Sequence, residues 1–159
     1  MREADLAQVV PLADRLFPDH PEDAARFAER LARGCDLCLT LARDDGAIAG
    51  YAVAYPWPLG LVPPLNRPLD ASVEVGNAVY LHDLGVSPEA AGAGHAGAGL
   101  ALLRERARNA GYAAIALVAV NGSAGFWQAH GFAARPMNDA MATKLASYGT
   151  DARYMILTL

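Results

Sequence analysis

Positive charge is scarce in this chain: 13 Lys and Arg side chains stand against 17 Asp and Glu, and Lys144 is the only lysine. Binding along a phosphate backbone needs a basic face, so nucleic acid is excluded as a partner. Long apolar runs are also missing. No stretch reaches the ~18 apolar residues of a membrane span, and the amino-terminal MREADLAQVV carries charges where a secretory leader needs an apolar segment. The expectation is a cytoplasmic protein with no membrane partner. Cysteine is limited to Cys35 and Cys38. Their C-x-x-C spacing suggests a redox pair or half a zinc site, but no second pair completes four ligands. The pair also enters a strand, whereas thioredoxin-like chemistry places it at a helix start. Two unrelated buried thiols and no metal site are expected. Internal repeats are absent, and the only compositional bias is richness in alanine and glycine.

What is present is enough for one core. The 159 residues suit a single domain over 1–159, with no linker-like stretch to divide it. Met1 to Glu3 reads as a short strand. Asp5 to Leu16 reads as a helix with Leu6, Val9, Val10 and Ala13 on one face, ended by Phe17-Pro18. Pro21 to Arg33 reads as a second helix, with Pro21 at its first position, Glu22 and Asp23 at its positive end and Gly34 as its stop. Leu37 to Arg43 and Ile48 to Trp57 flank Asp44-Asp45-Gly46, a hairpin signal. Four prolines between Pro58 and Pro68 make the next segment a loop, which is expected to wall a ligand site.

The most informative stretch follows. Val73 to Val86 reads as a central strand, and after it come Ala91, Gly92, Ala93, Gly94, His95, Ala96, Gly97, Ala98 and Gly99. Leu100, Leu103, Ala107 and Ala110 then recur at helical intervals up to Gly111-Tyr112. Amides in the first turn of a helix lack intrahelical partners and sit at the positive end of its dipole, so a bare turn there receives phosphate. A membrane-dimer reading of these spaced glycines fails because the run is short and contains His95. Ala113 to Val120 is a buried strand, parallel to the preceding one through a crossover. Ser123 to His130 is a short helix, and Phe132 to Arg135 pairs with Arg153 to Leu159 across an irregular 137–150 connection. The whole is a mixed α/β sheet with helices on both faces.

Two motifs in this layout resemble those of the GNAT superfamily of N-acetyltransferases. Val86-Ser87-Pro88 followed by Ala91-Gly92-Ala93-Gly94-His95-Ala96 is similar to the family's V-x-P and Q/R-x-x-G-x-G/A loop, with Ala91 where Gln or Arg is usual. A shifted frame, Gly94 to Gly99, needs extra residues after Pro88. Asn121 to Phe132, NGSAGFWQAHGF, is similar to the family's second motif, with Trp127 in place of its tyrosine. The resemblance implies an acyltransferase that uses acetyl-CoA as donor, acetylating a small amine or a peptide amino terminus by direct transfer; a homodimer is compatible with it.

The resemblance also implies roles. The diphosphate falls to Ala91, Gly92, Ala93, Gly94, His95 and Ala96. The thioester and pantetheine arm fall to Leu84, Gly85 and Val86, with Gly85 as a bulge residue that splays the strands. Asn121 and Phe126 belong to the same cofactor site. His82 and Asp83, beside the acetyl group, are the candidate bases; alternation sends them to opposite faces unless a bulge intervenes. The usual acid is missing, because indole cannot protonate a thiolate. Tyr148 and Ser123 are its candidate replacements. Trp57 and Trp127 could line the acceptor pocket, and Arg104 and Arg108 could meet the terminal phosphate. Two alternatives stand beside this reading. A non-catalytic acyl-CoA-binding module fits the missing tyrosine and Ala91. An NAD(P)- or FAD-binding oxidoreductase fits Gly92-x-Gly94-x-x-Gly97, but five residues separate Val86 from Gly92, and no acidic residue ends the next strand to hold a ribose.

Overall fold

Two tyrosines, a valine and a tryptophan at alternate positions of Ile48–Trp57 demand one apolar layer, and the alanines between them allow close packing on the other face. This segment is β2, and it organises a six-stranded sheet in the computed structural model, which describes residues 1–136, 145 and 151–159. The sheet order is β1-β2-β3-β4-β6-β5, with β1 Leu39–Ala42, β3 Ala78–Val86, β4 Ala114–Ala119, β5 Ala133–Ala134 and β6 Arg153–Thr158. All neighbouring pairs are antiparallel except β3 and β4. The helices are α1 Leu6–Leu16, α2 Ala24–Gly34, α3 His95–Asn109 and α4 Ala124–Ala129.

Alternation along the strands separates two cores. Tyr51, Val53, Tyr55, Trp57 and Tyr80 face α1 and α2, packing on Val9, Leu12 and Phe27. Ala52, Ala54, Val79, Leu81, Ile115 and Leu117 face α3 and α4, packing on Leu100, Leu103, Ala107 and Trp127. The mixed α/β sheet with helices on both faces is therefore present as read from the sequence.

Several boundaries differ. Met1 to Glu3 is not a strand. The Asp5 carboxylate accepts the Arg2 amide at 2.7 Å, the Asp5 amide returns to Arg2 O at 3.0 Å, and Glu3–Asp5 closes as a 3-10 turn. Helix α2 begins at Ala24, after Glu22 has turned inward, so Pro21 lies outside it. Strand β3 begins at Ala78 because the preceding loop folds on itself, Asp70 accepting both the amide and the hydroxyl of Ser72. The thiols are not both buried: Cys38 is, donating to Ala54 O, but Cys35 is exposed in a 3-10 turn before β1.

Gly34 ends α2 where the helix presses on β2. A Cβ at this position would stand 2.1 Å from the Ala54 carbonyl oxygen, a backbone atom that cannot swing away. Gly34→Ala is therefore expected to destabilise the fold by ~2–4 kcal/mol. Urea denaturation would show the lowered midpoint.

Candidate functional site

The site is built around one extra residue in β3. Pairing with β2 runs Val53↔Asp83 and then Ala54↔Leu81, so His82 is the bulged residue. Without it, His82 and Asp83 would point to opposite faces; with it, both side chains reach the α1/α2 face, where His82 meets Tyr55 and Asp83 meets Tyr51. This corrects the expectation for Gly85, which pairs regularly with Tyr51 and is no bulge. Glycine leaves room there: a Cβ would come within 2.7 Å of Leu16 Cδ1 and 2.9 Å of Tyr51 Cε1, so both side chains would have to shift.

The two groups differ in what surrounds them. His82 Nε2 lies 2.5 Å from Glu22 Oε2, and its Nδ1 lies 3.2 Å from Tyr55 Oη. Glu22 Oε1 accepts from Arg30 Nη2 at 2.8 Å and from the Asn66 amide at 2.6 Å. Burial opposes ionisation of Glu22, but the His82 hydrogen bond, then the charges of His82 and Arg30, then the Asn66 amide hold its carboxyl below the usual range. Burial holds the His82 imidazole below its usual value despite Glu22. A neutral ring between these partners is a donor at Nε2 toward the carboxylate and an acceptor at Nδ1 toward the phenol. Both nitrogens are thus committed.

Asp83 is held differently. Burial pushes its carboxyl up to about 7, the Glu22 charge adds to the rise, and hydrogen bonds from Tyr51 and the Leu84 amide oppose it. Tyr51 donates a short hydrogen bond to Asp83 Oδ2. Burial and then the Asp83 charge push the Tyr51 phenol far above its ordinary range, so it keeps its proton. A carboxyl that titrates near neutrality is suited to take a proton and give it up.

Strands β3 and β4 pair only from Ala78↔Ala114 to Tyr80↔Ala116 and then part. The opening is a cleft of about 240 Å³ lined by His82, Asp83, Leu84 and Val86 on one side and Val118, Val120, Asn121, Ser123, Phe126 and Trp127 on the other. The ladder bond from Ser87 N to Ala49 O, 2.7 Å, fixes which amides face it. Those of Ser87, Gly85 and Asp83 point to β2, and those of Leu84 and Val86 point across the cleft. Ala96, in the first turn of α3, also lines this cleft.

The turn above the cleft has glycine where the backbone demands it. Gly92 and Gly94 have φ of +80° and +82°, and Gly94 caps α3 in the left-handed conformation. The first helical bond there is Ala98 N to Gly94 O, so the amides of His95, Ala96 and Gly97 precede the ladder. Gly97 and Gly99 lie inside α3, which removes the shifted frame as a turn. Ala91 ends a 3-10 turn, Pro88–Ala90. His95 lines a separate cavity of about 320 Å³ with Leu84, Gly85 and Val86, between α3 and β1.

Other expected residues fall elsewhere. Trp57 sits at the far end of β2, opposite Ala78, with Arg33 5.0 Å from its ring, so it does not line the cleft. Arg104 and Arg108 border a groove on the second half of α3, away from the turn. Ser123 donates to Val120 O at 2.6 Å and accepts from Trp127 Nε1 at 3.1 Å. Tyr148 lies outside the described residues. Glu22, Tyr51 and Tyr55 were missed. Alternation put the tyrosines on one face of β2, but only the bulge in another strand shows what they meet; Glu22 read as a helix-start acid.

A family model described as the Acetyltransferase (GNAT) family matches residues 6–132. No curated protein matches the sequence. Among solved structures, the chain is similar to the GphF GNAT-like decarboxylase in complex with isobutyryl-CoA, at 19% identity and a TM-score of 0.77 over 99% of this chain and 96% of that one. It is similar to the ribosomal-protein-S18-alanine N-acetyltransferase from Escherichia coli, at 18% identity and a TM-score of 0.67 over 99% of this chain and 90% of that one. N-acetylglutamate synthase from Neisseria gonorrhoeae, complexed with coenzyme A and N-acetyl-glutamate, matches at 16% identity with a TM-score of 0.72. That match covers 98% of this chain and 33% of the synthase, so the chain spans about a third of it. At these identities the likeness is one of fold. Among the described residues, no helix is long and apolar enough to cross a membrane, and no group of three or more His, Cys, Asp or Glu could hold a metal ion.

Proposed function

The chain belongs to the GNAT family of acetyltransferases, and on that premise we propose that it transfers the acetyl group of acetyl-CoA directly to a primary amine of a small molecule or a peptide terminus. The observation that carries this reading is the His82 bulge, which turns Asp83 toward the mouth of a cleft whose other end meets the α3 turn. The residues fit the donor. Two left-handed glycines and three amides ahead of the α3 ladder suit a diphosphate, and the parted strands suit a pantetheine arm.

Acetyl-CoA, when bound, supplies an activated acetyl group whose C–S bond is exchanged for a C–N bond. Asp83 takes one proton of the acceptor ammonium, leaving the amine lone pair free to attack; the thiolate of coenzyme A departs as the C–S bond breaks and takes up the second proton that the nitrogen sheds, through solvent. Tyr51 holds the carboxylate through Oδ2. The Val86 amide, aimed across the cleft, is a donor for the thioester carbonyl or the arm, while the Leu84 amide bonds the Asp83 carboxyl. Val118, Val120 and Trp127 keep the opposite wall apolar.

One observation favours a second reading, a module that binds acyl-CoA without turning it over. The Trp127 indole donates to Ser123, and the Ser123 hydroxyl donates to a carbonyl, so neither is poised to protonate a leaving thiolate. A screen of primary amines and peptides with acetyl-CoA, read by free thiol, separates the two. Thiol released in step with acetylated amine is expected. Thermal stabilisation by acetyl-CoA with no thiol released by any acceptor would instead favour the binding module.

A further inference from the structure

The chemistry above leaves a buried carboxylate without a task. Glu22 is 8% exposed and Arg30 fully buried, a costly pair to place in a protein interior. Oxygen Oε1 of Glu22 serves the loop at 58–77: it accepts from the Asn66 amide and from Arg30, whose Nη2 also donates to Pro64 O at 3.0 Å. This loop reaches β6, where the Gly60 amide donates to Tyr154 Oη at 2.9 Å. The other oxygen, Oε2, holds His82, the bulge residue next to Asp83. One carboxylate thus joins loop 58–77 to the strand that carries the base.

We propose that Glu22 is the positioning residue through which loop 58–77 sets the proton affinity of Asp83, by fixing the His82 ring and by keeping a negative charge beside the base. The inference rests on the place given to Asp83 in the proposed function. A pair that only braced the fold would be satisfied by Arg30 and Asn66 at Oε1; the bond from Oε2 to His82, continued to Tyr55, is the additional feature. Among the described residues, the ionisable groups acting at Asp83 are Tyr51 from β2 and Glu22 ahead of α2, while His82, its neighbour in the strand, is engaged by Glu22 and Tyr55. Arg30 of α2 is paired to Glu22, and Asp14 of α1 acts on Tyr51. On the facing side, Val118 of β4 and Val120 just beyond it are apolar. The Glu22 charge works in the direction that raises the Asp83 carboxyl.

The test follows the imidazole and carboxyl groups directly by NMR, so it needs no acceptor. In the unaltered protein, 15N shifts of His82 are expected to show a neutral ring protonated at Nε2 at pH 7; a ring protonated at Nδ1, or an imidazolium, would overturn the proposal without any variant. In Glu22→Gln the new amide presents a donor to Nε2 and the ring is expected to switch to the Nδ1 tautomer. The Asp83 titration, followed by its 13C carboxyl signal, is expected to fall by about half a pH unit or more. The double variant Glu22→Gln/Arg30→Met, which leaves no unpaired cation, should shift it the same way. Coenzyme A affinity should stay within about twofold. An Asp83 titration unmoved in folded Glu22 variants would defeat the inference. A shifted titration in a protein that acetylates no amine would uphold the coupling and defeat the proposed function.

Discussion

Asp83→Asn is expected to lose acetyl transfer by ~10²–10⁴-fold, the range for removing a general base, while binding coenzyme A as tightly as the parent protein. The amide keeps the shape and can still accept from Tyr51, so the loss belongs to the proton and not to the packing. In the parent protein, log kcat/KM should rise with pH and level off above about 7, where Asp83 is ionised. A parent profile flat from pH 5 to 8 would remove Asp83 from the role of base. The same substitution should stabilise the fold. The Asp83 carboxyl is raised from 3.8 to about 7 by folding, so between those values the native state binds more protons than the unfolded chain and stability falls as pH rises. Above pH 7 the full cost is present, and below pH 4 it vanishes. Asparagine does not ionise, so the variant should be more stable at pH 8 by ~1–3 kcal/mol, a margin set below the full shift because the cleft admits water. The difference should close as the pH approaches 4. Denaturation midpoints of the two proteins at pH 4 and pH 8 would check both sign and window.

Gly94→Val should abolish measurable donor binding, weakening coenzyme A by ~100-fold or more. Gly94 has a φ of +82° and no protein atom within 4 Å of the place its Cβ would take, so the effect is not a clash within the fold. It comes from a left-handed backbone that costs an ordinary L-residue ~1–2 kcal/mol, and a β-branched one more. The turn must change to relieve that strain, and the amides of His95 to Gly97 move with it. Gly99→Ala is the matched control. Position 99 is inside α3 with open space around it, so alanine should raise stability by ~0.5–1 kcal/mol and leave coenzyme A affinity alone. Calorimetric titration of both variants would decide it. Equal affinities for the Gly94→Val and parent proteins would place the diphosphate elsewhere.

How much of this was legible in the sequence depended on how local the signal was. The glycine turn, the hairpin and the helix starting near His95 were readable because left-handed glycines and helix periodicity act over a few residues. The parting of β3 from β4 was readable only through the family resemblance, and the reason assigned to it, a bulge at Gly85, was wrong. A bulge is a mismatch between two strands, and nothing in Tyr80 to Val86 alone reveals that His82 is the unpaired residue. Glu22 was invisible for a related reason. An acid two residues before a helix normally faces water at the positive end of the dipole, and here partners from three segments, Arg30, the Asn66 amide and a histidine 60 positions away, turn it inward. The first strand failed because Asp5 captured the Arg2 amide, a three-residue contact that outweighed the pull of an open sheet edge.

The extra residue in β3 acts as a frame shift in three dimensions. Upstream of it, odd and even positions are sorted for the interior; downstream the sorting is inverted, so Gly85 belongs to the layer that Tyr80 occupies. Deleting either His82 or Asp83 would restore regular pleating and leave a single polar side chain at this point of the α1/α2 face, without its neighbour. A strand with this device can tolerate exchanges of residue type near the cleft far better than a change in its length.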